Sequence, residues 1–263
     1  MENEKKENEL SRARAALRGH WGKSFLIWLV YMTMALAVFF IVAFIAMCMG
    51  NKSPYDSDLG EQMISFVANV LLIPLEYGLA SFFLSAVRGE RTLKISTLFS
   101  GFRDFGRVCG TLLLRFFCIL AGTLCCIIPG IVLTYRYAMT PFILCDEPEL
   151  KFTGALKRSG LLMKGNKADL FWWDCALGAV FAFVTLLFIL PCFLFKSSAG
   201  EFPVYLMILC GLLFMAVFGG YMIIKNAVYA EFYEKVKGKF EAEQMQSVAV
   251  EANDGVADTQ KGE

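Results

Sequence analysis

Apolar residues gather along this chain into six runs, at positions 25–49, 63–87, 108–128, 131–145, 170–195 and 204–229, with polar and charged segments between them. A bilayer-spanning helix needs about 20 mostly apolar residues, and five of the runs meet that length. The fourth, at 131–145, rises only about 22 Å as a helix. Pro129-Gly130 divides it from the third run and predicts a tight turn at the membrane surface.

Basic residues decide whether that short run crosses. They collect on one side of short loops, the cytoplasmic side. Lys5, Lys6, Arg12, Arg14, Arg18 and Lys23 precede the first run. Arg88, Arg91, Lys94, Arg103 and Arg107 lie between the second and third, and Lys151, Lys157, Arg158, Lys164 and Lys167 between the fourth and fifth. The segments at 50–62 and 196–203 hold one lysine each, Lys52 and Lys196. Six spans put every basic cluster on the same side, with both termini cytoplasmic, whereas five would strand the 151–167 cluster outside. The expected fold is therefore all-α and polytopic, with six transmembrane helices.

The flanking segments carry their own pattern. Residues 9–23 set Leu10, Ala13, Leu17 and Trp21 on one helical stripe among arginines, as in a helix lying on a leaflet. Arg14, Arg18 and Trp21 are its expected lipid contacts. In the 146–169 segment a second short surface helix is expected, with Lys164 and Lys167 facing headgroups. "ALRGHWGKSFL" (16–26) and "LMKGNKADLFW" (162–172) resemble each other, and each leads into a span. Together with a weaker middle copy, this predicts three pseudo-repeated hairpins. Residues 238–263 are polar and acidic without periodicity, and a disordered cytoplasmic tail is expected.

Composition fits this picture: 57% of the 263 residues are hydrophobic and 19% charged, with mean hydropathy +0.56. The net charge of +1 gives no bias toward nucleic acid. The N-terminal charged region is too long for a cleaved signal peptide. Anionic lipid headgroups are the expected partners.

Catalytic schemes fail largely on inventory. The single histidine, His20, precedes the first span, so two-histidine metal sites and buried His triads have nothing to build on. Neither a GxxxxGK[ST] phosphate loop nor a GxSxG elbow occurs. The nine cysteines lie in or beside spans without CxxC spacing, as small buried apolar residues do. Asp146, Glu147 and Glu149 beside Pro148 suit a turn or helix start. No cofactor, metal site or enzymatic activity is expected.

Several segments resemble a known family. They are "ARAALRGHWG" at 13–22, "RGE" at 88–90, "LFSGF" at 98–102, "YRYAM" at 135–139, "DEP" at 146–148, "ALKRSGLLMKGNKADLF" at 155–171 and "AVYAEFY" at 227–233. Together they are similar to the bacterial multi-pass membrane family catalogued as domain of unknown function nine-seven-five, over residues 10 to 237. "FPVY" at 202–205 departs from the family's Pro-Tyr. The resemblance implies a helical integral membrane protein of the bacterial inner membrane and brings no activity.

Charges within the runs remain. Glu76 lies about 18 Å along a helix from Arg88, Arg136 about 15 Å from Asp146, Arg115 about 12 Å from Arg107, and Lys225 about 15 Å from Lys235. One acid and three bases thus share a slab, at a cost on the order of 2.5–3.5 kcal/mol each on insertion scales. Glu76 is expected to pair with Arg136 beside a kink at Pro74, while Arg115 and Lys225 snorkel. The alternative is a polar mid-membrane cavity for a lipid phosphate or small anion. The functions these features suggest are a non-catalytic organiser of lipids or partner proteins, or a small transporter or channel.

Overall fold

A computed structural model describes residues 11–49, apart from 13, 14, 16 and 19, together with 57–90, 93–198 and 204–260. Regular structure among the described residues is entirely helical. Six helical segments are long and apolar enough to cross a membrane. The chain is thus an all-α, multi-pass membrane protein.

Helix α1 covers Trp21–Met49 and α2 Ser57–Val87. A 3-10 turn at Ile95–Phe99 and the short α3 at Ser100–Arg103 lead into α4, Phe105–Cys125, and α5, Ile127–Arg136. Then come α6 (Thr140–Asp146), α7 (Thr153–Leu162), α8 (Lys167–Ser198) and α9 (Val204–Gln260).

The helices divide along their length into two environments. Side chains at one end are packed against protein: Leu75, Phe82 and Phe83 of α2, Ile143 of α6, and Phe232 and Tyr233 of α9 are all buried. Elsewhere α1, α8 and the start of α9 show Phe40, Phe44, Phe183 and Leu212 to the surroundings, each more than 55% exposed. Apolar surface of that extent is stable against lipid and costly against water.

Helix α2 is the hub, touching α1, α4, α6, α9 and the chain that follows it. After Val87 that chain folds back along α2 and lies directly on its backbone. Gly78 meets the Leu98 carbonyl, and Gly101 meets the carbonyl of Pro74, leaving no room for a Cβ at either glycine. Close backbone contact of this kind is available to glycine alone. Helix α2 continues through Pro74, and Gly101 covers the backbone just there.

Several expectations are corrected. The break between the third and fourth runs falls at Cys126, which is extended (φ −166, ψ 151), and not at Pro129-Gly130. Pro129 sits instead in the first turn of α5, where its missing N–H has no intrahelical acceptor to lose. Gly130 lets α5 approach Thr123 of α4. The fourth run is two helices, α5 and α6, joined by a turn at 137–139. The tail expected to be disordered continues α9 as helix to Gln260. Its Ala, Glu, Gln and Lys residues extend a helix that is already nucleated, so the unfavourable first turn is not paid again.

The N-terminal stripe is corrected as well. Arg18 and His20 are in turn conformation, Leu17 is buried in the core, and Trp21 opens α1, 42% exposed. Arg14, Leu10 and Ala13 lie outside the described residues. The same turn recurs before α8. His20 N donates to the Leu17 carbonyl and Ser24 N to that of His20; 146 positions on, Asn166 N donates to Met163 and Leu170 N to Asn166. Leu17 and Met163 are both buried. The two segments thus share their turn geometry as well as their sequence pattern.

Candidate functional site: a belt of charge

Glu76 is paired with Arg115, not with Arg136. Arg115 Nη1 donates to Glu76 Oε1 at 3.2 Å, joining α4 to α2. A second pair joins the last two long helices: Lys225 Nζ lies 3.4 Å from Asp174 Oδ1. The other carboxylate oxygen of Asp174 accepts from Tyr229 Oη at 2.6 Å and Tyr135 Oη at 3.1 Å. The slab of one acid and three bases therefore resolves into two ion pairs, with Asp174 as a second acid. Its signal was present: Asp174 lies five positions beyond Asp169, inside the fifth run.

Arg136 stands apart. It is exposed at the end of α5, its guanidinium 5.7 Å from the Tyr137 ring centre. It shares a basic pocket with Lys157, Lys164 and Lys167, so two of the expected headgroup contacts are brought to it. Arg18, by contrast, sits in the turn before α1, and Trp21 opens that helix.

These charges mark a level in the molecule. Beyond it, α9 extends from Lys225 back to Val204, about 31 Å at 1.5 Å per residue, and α8 from Asp174 to Ser198, about 36 Å. Helix α2 extends about 28 Å beyond Glu76. Helix α1 extends about 27 Å beyond Tyr31, which shares a cavity with Glu76. A hydrocarbon core is about 30 Å thick. The α4–α5 hairpin is the exception: from Arg115 to Cys125 it rises only about 15 Å. Its tip carries Leu124, Ile127 and Ile128, each 72–79% exposed, with exposed Cys125 and Cys126 between them.

Against the hairpin lies a cavity of about 540 Å³ lined by Tyr31, Asn69, Glu76, Arg115 and apolar residues of α2 and α4. It presents one ion pair and two neutral polar groups. Ionic chemistry there centres on a carboxylate already bonded to its neighbour.

On the packed side of the belt a second cluster fixes the end of α6. Asp146 Oδ2 accepts from Arg88 Nη2 at 2.7 Å, Lys237 Nζ at 2.7 Å and Tyr233 Oη at 2.9 Å. Arg88 also meets Glu234 at 2.6 Å. Hydrogen bonds to these two carboxylates hold the Arg88 pKa above its ordinary value, against the opposing effect of burial. Asp146 therefore clamps α6 to α9, where the sequence suggested a helix start. Glu147 pairs with Arg158 at 3.2 Å.

Compared with protein-family models, curated proteins and solved structures, the chain matches none.

Proposed function

We propose that this is a non-catalytic integral membrane protein that organises lipid, in the manner expected of a bacterial cytoplasmic membrane protein with both termini inside. In this reading the charged belt lies at headgroup level of the inner leaflet. The four long helices cross from it, and the packed half of the molecule sits against the cytoplasmic face. The α4–α5 hairpin then enters from that side and turns within the bilayer, displacing lipid in one leaflet only.

The observation that carries this reading is the hairpin tip. A turn at a water boundary is ordinarily made of polar residues, because its backbone groups must find partners there. Here the sequence from Ala121 to Val132 contains no charge, and Leu124, Ile127 and Ile128 are each more than 70% exposed. Ion-pairing Arg115 and Glu76 at the base suits an interface better than the bilayer centre, where each charge would cost more.

The test uses the natural tip cysteine. A variant keeping Cys126 alone is reconstituted in vesicles and treated from either side with a membrane-impermeant maleimide. Protection from both sides, with a spin label there reporting hydrocarbon depth, is the expected result. Rapid labelling from the far side means that the hairpin crosses, and the one-leaflet reading is lost.

A transport role is the second reading, favoured by the cavity at Glu76 and Arg115. Vesicles bearing the protein that pass no ions or small solutes above the empty-vesicle rate would dispose of it.

A further inference from the structure

A pocket lined by four cations lies at the foot of α5. Gly160 and Leu161 lie three and four residues after Lys157, and Lys164 four and three after them, so the four share one face across α7 and the turn after it. Lys167 opens α8 beside them, and Arg136 closes the cavity, whose volume is about 430 Å³. None of its lining residues is acidic. Among the described residues, none of the four cations has an ion-pair partner, whereas Arg88, Arg115, Arg158, Lys225 and Lys237 each do. Four unneutralised charges around one cavity repel one another, and an anion between them relieves that cost.

The fold holds the pocket open. Ser159, fully buried, donates through Oγ to the Arg136 carbonyl at 2.9 Å and ties α7 to the end of α5. Gly160 lies under the guanidinium, where a Cβ would come within 2.8 Å of Nε. The guanidinium, packed over Gly160, presents a planar fork of donors to a phosphate.

The surroundings identify the source of the anion. Tyr135, next to Arg136, reaches Asp174 in the charged belt, and its ring meets that of Phe171 edge-on at 5.6 Å. Trp172 follows at 56% exposed, and Leu161 within the pocket wall is 53% exposed. A cationic pocket bordered by exposed apolar side chains matches an amphiphile with a phosphate at one end and an acyl chain at the other.

We infer that Arg136, Lys157, Lys164 and Lys167 form a binding site for the phosphate of an anionic phospholipid headgroup, with room and charge for a lipid bearing two phosphates. The inference rests on the proposed function for its depth at the headgroup level; the residues and their charge are independent of it.

The full-length protein in mild detergent is titrated with diphosphatidylglycerol, with phosphatidylcholine and with inorganic pyrophosphate, following its thermal unfolding. Diphosphatidylglycerol should raise Tm saturably, and the other two should not. The double substitution Lys164→Gln and Lys167→Gln should weaken the apparent affinity about 25-fold, roughly fivefold for each cation removed. Arg136→Gln should do so at least as strongly. The pair Lys94→Gln and Lys239→Gln, equal in charge and outside the pocket lining, should leave it unchanged. Equal affinity in both double variants overturns the site. A shift by pyrophosphate as large as that by lipid overturns the lipid assignment in favour of a soluble phosphate. If Arg136→Gln alone lowers the starting Tm, the lysine pair still decides. Far-side labelling of Cys126 would defeat the half-depth hairpin without touching this titration, and a flat titration would leave the hairpin depth standing.

Discussion

Glu76 and Arg115 face each other across α2 and α4 at 3.2 Å, while Arg136 points away into a pocket of its own. The two arginines lie on antiparallel helices near the same level, and sequence distance from the flanking charges could not separate them. Packing does so: α4 lies directly against α2, whereas α5 is carried on the far side of α4 and meets α8.

That relationship predicts a coupling. In a double-mutant cycle on Glu76→Gln and Arg115→Gln, thermal stability should show an interaction of about 1 kcal/mol or less, since Glu76 is half exposed. The same cycle on Glu76 and Arg136 should return no coupling. The reverse result would mean that α4 and α5 are exchanged about the hairpin axis.

Asp146 should matter far more than its acidic neighbours. Its side chain is 6% exposed and accepts from three donors on two other segments. Asp146→Asn leaves Arg88 and Lys237 facing a neutral group in a partly buried site. A loss of about 2–3 kcal/mol is expected, discounted for the exposure of the two cations. Glu147→Gln, which touches Arg158 alone among the described pairs, should cost under about 1 kcal/mol. Thermal unfolding of the two variants in detergent makes the comparison.

Gly78→Ala and Gly101→Ala should each cost about 3 kcal/mol or more, because the added methyl meets the backbone of Leu98 or Pro74, which no rotamer can move aside. Gly106→Ala is the contrast. Nothing lies within 4 Å of a Cβ there, and in a helix the change should be neutral or stabilise by about 0.5–1 kcal/mol. Equal Tm values for the three variants would mean that the 93–103 segment does not lie on α2.

The far end of α9 should be dispensable for stability. Side chains from 241 to 249 are all exposed. Truncation after Ala242 should leave the unfolding temperature of the membrane domain unchanged. Truncation after Val236 removes Lys237 from Asp146 and Phe240 from Arg158, whose guanidinium lies 4.6 Å from that ring. That shorter chain should unfold several degrees earlier, a shift readable by the same melting assay.

The sequence by itself determined the helical, multi-pass class, the apolar runs and the likeness between the segments that lead into α1 and α8. Each follows from local composition: a run of apolar residues has no stable place in water, and a recurring hydrophobe-base-Gly pattern is legible within a few residues. It also marked Arg115, Arg136 and Lys225 as costly charges needing an explanation. The tertiary structure decided which of them meet. Asp174 became a partner for Lys225 and two tyrosines only because α5, α8 and α9 converge, and Lys157, Lys164 and Lys167 gathered around Arg136 only because α7 is tied across the foot of α5. Charge pairing depends on distances of a few ångströms between segments tens of residues apart, and those distances are set by packing that no local pattern encodes.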